Sequence, residues 1–138
     1  MRSTVLKLAT MLIVLTMMAS CAALARNDEA FVGTQWKLTS IGSSSVSSER
    51  APTIEFTVEG VRGSAGCNSF QGSYSTSGQS IEFSELTMTL MACPDDEGVM
   101  DLEQHYFAAL QQARGYKILS DQLSIATNEG TTLVFIKQ

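Results

Sequence analysis

Histidine and clustered basic charge are what this sequence has least of. His105 is its one imidazole, so neither a Ser/His/Asp triad nor a His/Cys metal set can be assembled with ordinary partners. Nine Lys and Arg face fourteen Asp and Glu, and no basic run occurs. Nucleic-acid binding, which rests on neutralising phosphates, is therefore excluded. No apolar run reaches the roughly 20 residues of a membrane-spanning helix. No repeat at solenoid periods is evident. The Ser43–Ser48 run has no base beside it and reads as a loop. Asp95, Asp96 and Glu97 lack the ordered ligand spacing of a calcium loop.

What is present begins with an export signal. Arg2 and Lys7 precede an apolar stretch from Leu8 to Met18, interrupted only by Thr10 and Thr16, and small residues follow. That order of charge, apolar core and small residues marks a secretory signal peptide over residues 1–20. Two cleavage sites compete. Met18-Ala19-Ser20-Cys21 resembles a bacterial lipobox, with Met18 where Leu is usual. Ala23-Leu24-Ala25 suits ordinary signal peptidase. The first cut makes Cys21 the lipidated residue of a membrane-anchored protein; the second releases a soluble periplasmic or secreted one. The lipidated form is preferred, because a cysteine closing an apolar signal core otherwise has no role. Ala22 is not the aspartate of inner-membrane retention, so the expected destination is the outer membrane, facing the periplasm.

Either cut leaves Cys67 and Cys93 as a pair. In an oxidising compartment such a pair is most simply a structural disulfide. Closing that loop stabilises a fold by about 3–4 kcal/mol in the chain-entropy model. A zinc site or a thiol nucleophile are the alternatives, and each would lean on His105. Removing residues 1–20 takes two basic residues and no acidic ones, leaving seven against fourteen, or −7.

The remaining chain suits one domain, preceded by a tether over residues 21–32. Trp36 and Leu38 alternate as in a strand, as do Ile54, Phe56 and Val58. Phe70–Ser75, Ile81–Phe83, Leu86–Ala92, Tyr116–Leu119, Gln122–Thr127 and Thr131–Ile136 follow as extended segments. The last has four consecutive apolar residues, expected of a strand covered on both faces. One helix is predicted between them. Asp95–Glu97 would cap it, Val99, Leu102, Tyr106, Leu110 and Ala113 would form its apolar face, and Gly115 would end it. The expected fold class is α+β: an antiparallel, barrel-like curled sheet of about eight short strands packed on one helix.

Gly63-Ser64-Ala65-Gly66-Cys67-Asn68-Ser69-Phe70-Gln71-Gly72-Ser73-Tyr74, together with Met91-Ala92-Cys93-Pro94 and the earlier Gly33-Thr34-Gln35-Trp36, resembles the META domain family, also called HslJ-like heat-shock proteins. The likeness runs through residues 33–138 in order. It implies the same curled barrel with one helix, a bacterial envelope setting, and a link to heat shock and novobiocin resistance. A related fold serves small lipoproteins that pilot secretion components. The family brings no established catalytic residues. Leu90 stands where members often carry a basic residue.

Within the motif, Gly63, Gly66 and Gly72 suggest bulges or close backbone approach. Asn68 suggests a local backbone hydrogen bond or a left-handed turn. Phe70 and Tyr74 share a strand face that would pack on the helix. Trp36 reads as a core anchor, and His105 as solvent-facing. Met88, Met91 and Met100 suit either core gaps or an adaptable binding surface. These features together point to a non-enzymatic, cofactor-free, monomeric envelope lipoprotein that binds an envelope protein or an apolar ligand in the mouth of the sheet. A secreted interaction module, such as a protease inhibitor, is the alternative. The anchor is testable directly. Cys21→Ala should abolish acyl labelling and move the protein from the membrane to the soluble fraction; a soluble wild type beginning at Arg26 would instead establish the second cut.

Overall fold

The computed structural model describes residues 30–46, 49–94 and 98–138. The signal segment, Cys21, most of the predicted tether and the proposed acidic cap lie outside these residues. Nine strands and one helix follow in order: β1 Thr34–Ile41, β2 Ser44–Ser45, β3 Thr53–Phe56, β4 Val61–Ser64, β5 Ser69–Ser77, β6 Ser80–Met88, α1 Val99–Gln111, β7 Ala113–Leu119, β8 Gln122–Thr127 and β9 Thr132–Lys137. Every pairing is antiparallel. The two-residue β2 pairs with β1 alone; the other eight strands follow one another around the sheet. Pairing of β1 with β9, through Lys37↔Ile136 and Leu38↔Phe135, closes the barrel. The expected α+β barrel with one helix is what the chain forms.

One seam is different. Strands β6 and β7 share a single register pair, Ser80↔Gly115, and α1 lies between them in sequence and packs on β6. The helix thereby covers the part of β6 that β7 leaves unpaired. Its buried residues are Val99, Glu103, Tyr106, Ala109 and Leu110.

An eight-stranded barrel has an interior that side chains can fill, and here they do. Trp36, Leu38, Phe56, Ile125, Leu133 and Phe135 are all buried within it. Two aromatic clusters finish the packing. Around Phe56, beside the β3–β4 hairpin, Phe31 lies at 4.5 Å and Tyr74 at 4.9 Å between ring centroids. Toward the β4–β5 connection, at the other end of those strands, Tyr106 of α1 meets Phe70 at 5.8 Å and Phe135 at 6.2 Å. Offset and edge-on ring contacts of this kind add to the burial of apolar area.

Several local expectations are corrected. Leu86–Ala92 is not a separate strand, because Ser80–Met88 runs on as β6, turned at Glu85 by a left-handed φ of 54°. The last strand is covered on one face only: Leu133 and Phe135 are buried while Ile136 is 48% exposed, since a closed barrel has one inside. Helix α1 opens at Gly98, which makes no side-chain cap. Gly115 does not terminate it. The helix ends at Gln111 because Ala113 already pairs with Thr127 in β7, and Gly115 marks a bulge there. The orphaned carbonyl of Gln112 accepts from the Asn128 N–H at 3.0 Å.

Phe31 lies within the stretch read as tether, yet it is fully buried and its ring stands 4.8 Å from that of Tyr116. The packed body therefore reaches back at least to this residue. Phe31→Ala should lower unfolding free energy by about 3–5 kcal/mol in urea titrations, as for other buried aromatic truncations. An unchanged midpoint would place the start of the domain after it.

Candidate functional site

The connection from β4 to β5 carries Gly66, Cys67 and Asn68. Gly66 sits at φ 120°, and a Cβ built there would stand 3.0 Å from Val99 Cγ2 on the first turn of α1. Glycine thus lets the connection lie flat against the helix. Gly72, further along β5, has a similar reason. Its Cβ would fall 2.8 Å from Leu86 Cδ2 and 2.9 Å from the Ser84 carbonyl oxygen, where β5 and β6 shift register between Gln71 and Ser73.

Asn68 is the centre of this region. It is buried; its backbone carbonyl accepts the local Ala65 N–H at 2.7 Å, while its side-chain hydrogen bonds reach far along the chain. Its backbone N–H donates to Glu103 Oε2 at 2.6 Å, and its Nδ2 donates to Glu103 Oε1 at 2.7 Å. Nδ2 also donates to the Met91 carbonyl at 3.1 Å. Its Oδ1 accepts from the Met91 N–H at 2.7 Å and from Thr89 Oγ1 at 2.8 Å. One amide side chain therefore pairs with the backbone of Met91 as a strand neighbour would, while gripping a carboxylate on α1.

Glu103 was missed in the sequence. The signal was there: Val99, Glu103, Tyr106 and Leu110 recur at helical steps, and Glu103 is buried on that stripe while Leu102 is only half-buried. A carboxylate on the apolar face needs partners that compensate its lost hydration, and Asn68 supplies two donors.

The Cys67–Cys93 disulfide lies beside this hub, with a Cα separation of 6.0 Å. It encloses β5 and β6 and ties the segment after β6 back to the β4–β5 connection. Thr89 is held as well, its N–H donating to the Ser69 carbonyl at 3.0 Å. The segment 89–93 is thus fastened at several points without belonging to a strand. Thr89 and Cys93 turn inward to these partners, whereas Leu90 is 93% exposed and Met91 58%. Pro94 is exposed, as is Met100 on the first turn of α1, while Met88 packs on the core.

The other motif residues divide. Trp36 is buried, its Nε1 donating to Thr34 Oγ1 at 2.8 Å. Phe70 packs on α1 as expected. Tyr74 does not; beyond the bulge it turns to the cluster around Phe56. His105 is exposed. Burial pushes the Tyr106 hydroxyl well above the ordinary phenol pKa, so it remains un-ionised.

Open depressions lie on the outer face among the described residues. One of about 430 Å³ is lined by Thr57, Glu59, Arg62, Gln71, Ser73 and Glu85, among others. Another, of about 410 Å³, includes Gln35, Glu55, Arg62, Ser69 and Gln71. Arg62 borders both and donates to Glu55 at 2.8 and 3.0 Å, which holds the Glu55 carboxyl below the usual carboxylate range. Among the described residues, no three His, Cys, Asp or Glu side chains gather as a metal site, and no helix is long and apolar enough to cross a membrane.

A family model described as META domain matches residues 29–138, and the chain belongs to that family. No curated protein matches it. An NMR structure of a protein from Burkholderia xenovorans is 23% identical, covering 80% of this chain and 86% of its own, with a TM-score of 0.66. A second NMR structure is 26% identical over 80% of this chain and 93% of its own, also at 0.66. A crystal structure of a DUF4847 family protein from Bacteroides vulgatus ATCC 8482 is 15% identical, over 79% and 95% of the two chains, at 0.59. These likenesses extend over the barrel and speak to fold.

The Asn68–Glu103 contact makes a specific forecast. In Glu103→Gln, one carboxylate acceptor becomes an amide donor facing a donor of Asn68. Unfolding free energy should fall by about 1–3 kcal/mol with the disulfide intact. Asn68→Ala, which strips the Met91 backbone as well, should cost more. Equal stability of Glu103→Gln and wild type in guanidinium titrations would refute the hub.

Proposed function

We propose that this META domain protein is a non-catalytic envelope lipoprotein, carried by a lipid on Cys21 at the periplasmic side of the outer membrane, that serves stress response or envelope assembly by binding another protein. The observation that carries the choice of a protein partner is the filled barrel. An apolar small molecule or lipid would need a lumen, and that space is taken by Trp36, Phe56, Tyr106 and Phe135. Surface remains, in the form of open depressions of mixed character and a fastened loop, which is the kind of surface a protein partner reads. The export signal and the disulfide favour an oxidising envelope compartment.

The test is photo-crosslinking from Gln71, Thr87 and Leu90 in heat-stressed cells. Discrete adducts with an envelope protein are the expected result. A protease as the captured partner would turn the reading toward an inhibitor. Absence of adducts, together with a raised Tm in the presence of lipids or novobiocin-like apolar compounds, would return the binding site to the mouth of the barrel.

A further inference from the structure

Register places four residues in one row across β7, β8, β9 and β1: Leu119 opposes Gln122, Gln122 opposes Ile136, and Ile136 opposes Lys37. Directly opposed residues share a face of the sheet. Phe135 is buried inside the barrel, so Ile136 and its row stand on the outer wall. Ile136 is half exposed there, and Leu119 is 56% exposed. Two residues further along each strand, Lys117 opposes Ser124 and Ser124 opposes Val134. Lys117 is exposed and Val134 half-buried. Lys137 is exposed beside the β7–β8 turn, its N–H donating to the Asp121 carbonyl at 2.8 Å.

Charge divides the barrel in the same way. On the wall of β7, β8, β9 and β1, Lys37, Lys117 and Lys137 have one carboxylate close by, Asp121 in the β7–β8 turn. Arg114 is engaged by Glu82 at 3.8 Å. Glu129 lies in the β8–β9 turn, at the other end of those strands. The wall of β3 to β6, with the β3–β4 turn, carries Glu55, Glu59, Glu82 and Glu85 against Arg62 among the described residues. One wall is basic and partly apolar; the opposite one is acidic.

The chain also enters the barrel beside the basic wall. Residues 30–33 lead into β1, where the Gln35 carbonyl accepts from the Gln138 N–H at 2.9 Å, next to Lys137. Cys21 stands nine residues before Ala30, and nine residues of extended chain span at most about 30 Å.

We propose that the wall of β7, β8, β9 and β1 rests on an anionic lipid bilayer, with Leu119 and Ile136 among the headgroups and Lys37, Lys117 and Lys137 on lipid phosphates. The proposal rests on the reading that Cys21 carries a lipid, and adds the orientation. A lipid holds a protein at the surface without choosing which side faces it; the basic wall makes that choice. Charge complementarity selects the occupant. A second copy docking through the same wall would set Lys against Lys, whereas anionic headgroups attract this wall and repel the acidic one. The depressions bordered by Arg62 and Gln71 then face away from the bilayer, where a protein partner reaches them.

With Cys67 joined to Cys93 and Cys21 either acylated or removed, a Leu119→Cys variant offers one free thiol in the mature chain. A nitrobenzoxadiazole label on it reads the polarity around that wall, and Gln71→Cys serves as the control on the opposite wall. With vesicles of phosphatidylethanolamine and about one-quarter phosphatidylglycerol, emission at 119 should rise, shift to the blue and be quenched by spin-labelled lipid. Emission at 71 should not. Adding Lys37→Glu and Lys117→Glu should cut the rise at 119 at least about twofold, and so should raised sodium chloride. Circular dichroism checks that each variant keeps the fold. Equal responses at 119 and 71, no response at 119, or an undiminished one in pure phosphatidylcholine would overturn the proposal. So would a blue shift that grows with protein concentration in the absence of vesicles, which assigns the wall to a second copy. The anchor fails separately, because acyl labelling of Cys21 reads it without either probe. A non-acylated chain whose label at 119 still responds to phosphatidylglycerol loses the anchor and keeps the docking wall.

Discussion

The order at the motif-bearing end of this barrel depends on one buried side chain, Asn68. Three pieces of chain meet there that share no regular secondary structure: the β4–β5 connection, the segment after β6 and the first turns of α1. Asparagine suits the position because its amide is both donor and acceptor. The acceptor takes the N–H of Met91, and the donor serves the Met91 carbonyl and Glu103 together. Aspartate would lose the donors and set a second carboxylate against Glu103. Leucine would leave a buried carboxylate with one N–H. The residue type follows from the junction it makes.

The disulfide and the amide divide the work. A cross-link between Cys67 and Cys93 acts largely by restricting the unfolded chain, and it leaves the register of the intervening residues open. The Asn68 contacts set that register, since they place the Met91 N–H and carbonyl individually. Barrel closure rests on a different set of contacts. Strands β1 and β9 pair across the ends of the domain, and α1 covers the stretch where β6 and β7 separate. Phe31 and Tyr106 fill the interior from the N-terminal segment and from the helix. The eight-strand interior is thereby occupied by protein side chains.

Much of this was legible from residue patterns, and the gaps have physical causes. Alternation in Trp36–Leu38 and Ile54–Phe56 identified half-buried strands because a barrel wall has an inside and an outside. The helix was legible from its stripe. Its ends were not, because tertiary pairing of Ala113 with Thr127 stops it before Gly115 can, and Gly98 opens it without a side-chain cap. The apolar run ending at Ile136 suggested burial on both faces; pattern alone does not distinguish a buried strand from a one-sided one with an apolar outer residue. Phe31 looked like linker because a single aromatic before a strand has no periodicity. The partnership of Asn68 with Glu103, 35 residues away in sequence, has no local signature except a carboxylate on an apolar stripe.

That carboxylate bears on the position of the segment after β6 as well as on stability. A core built for stability alone would gain by replacing the Asn68–Glu103 pair with apolar side chains, since buried charges repay their lost hydration only through good geometry. What the pair provides, and apolar packing would not, is a defined position for the backbone of Met91. Apolar contacts tolerate sliding; a carboxylate with two short hydrogen bonds and an amide with three more do not. The consequence of that definition is felt outward, at Leu90 and Met91, which contribute nothing to the core.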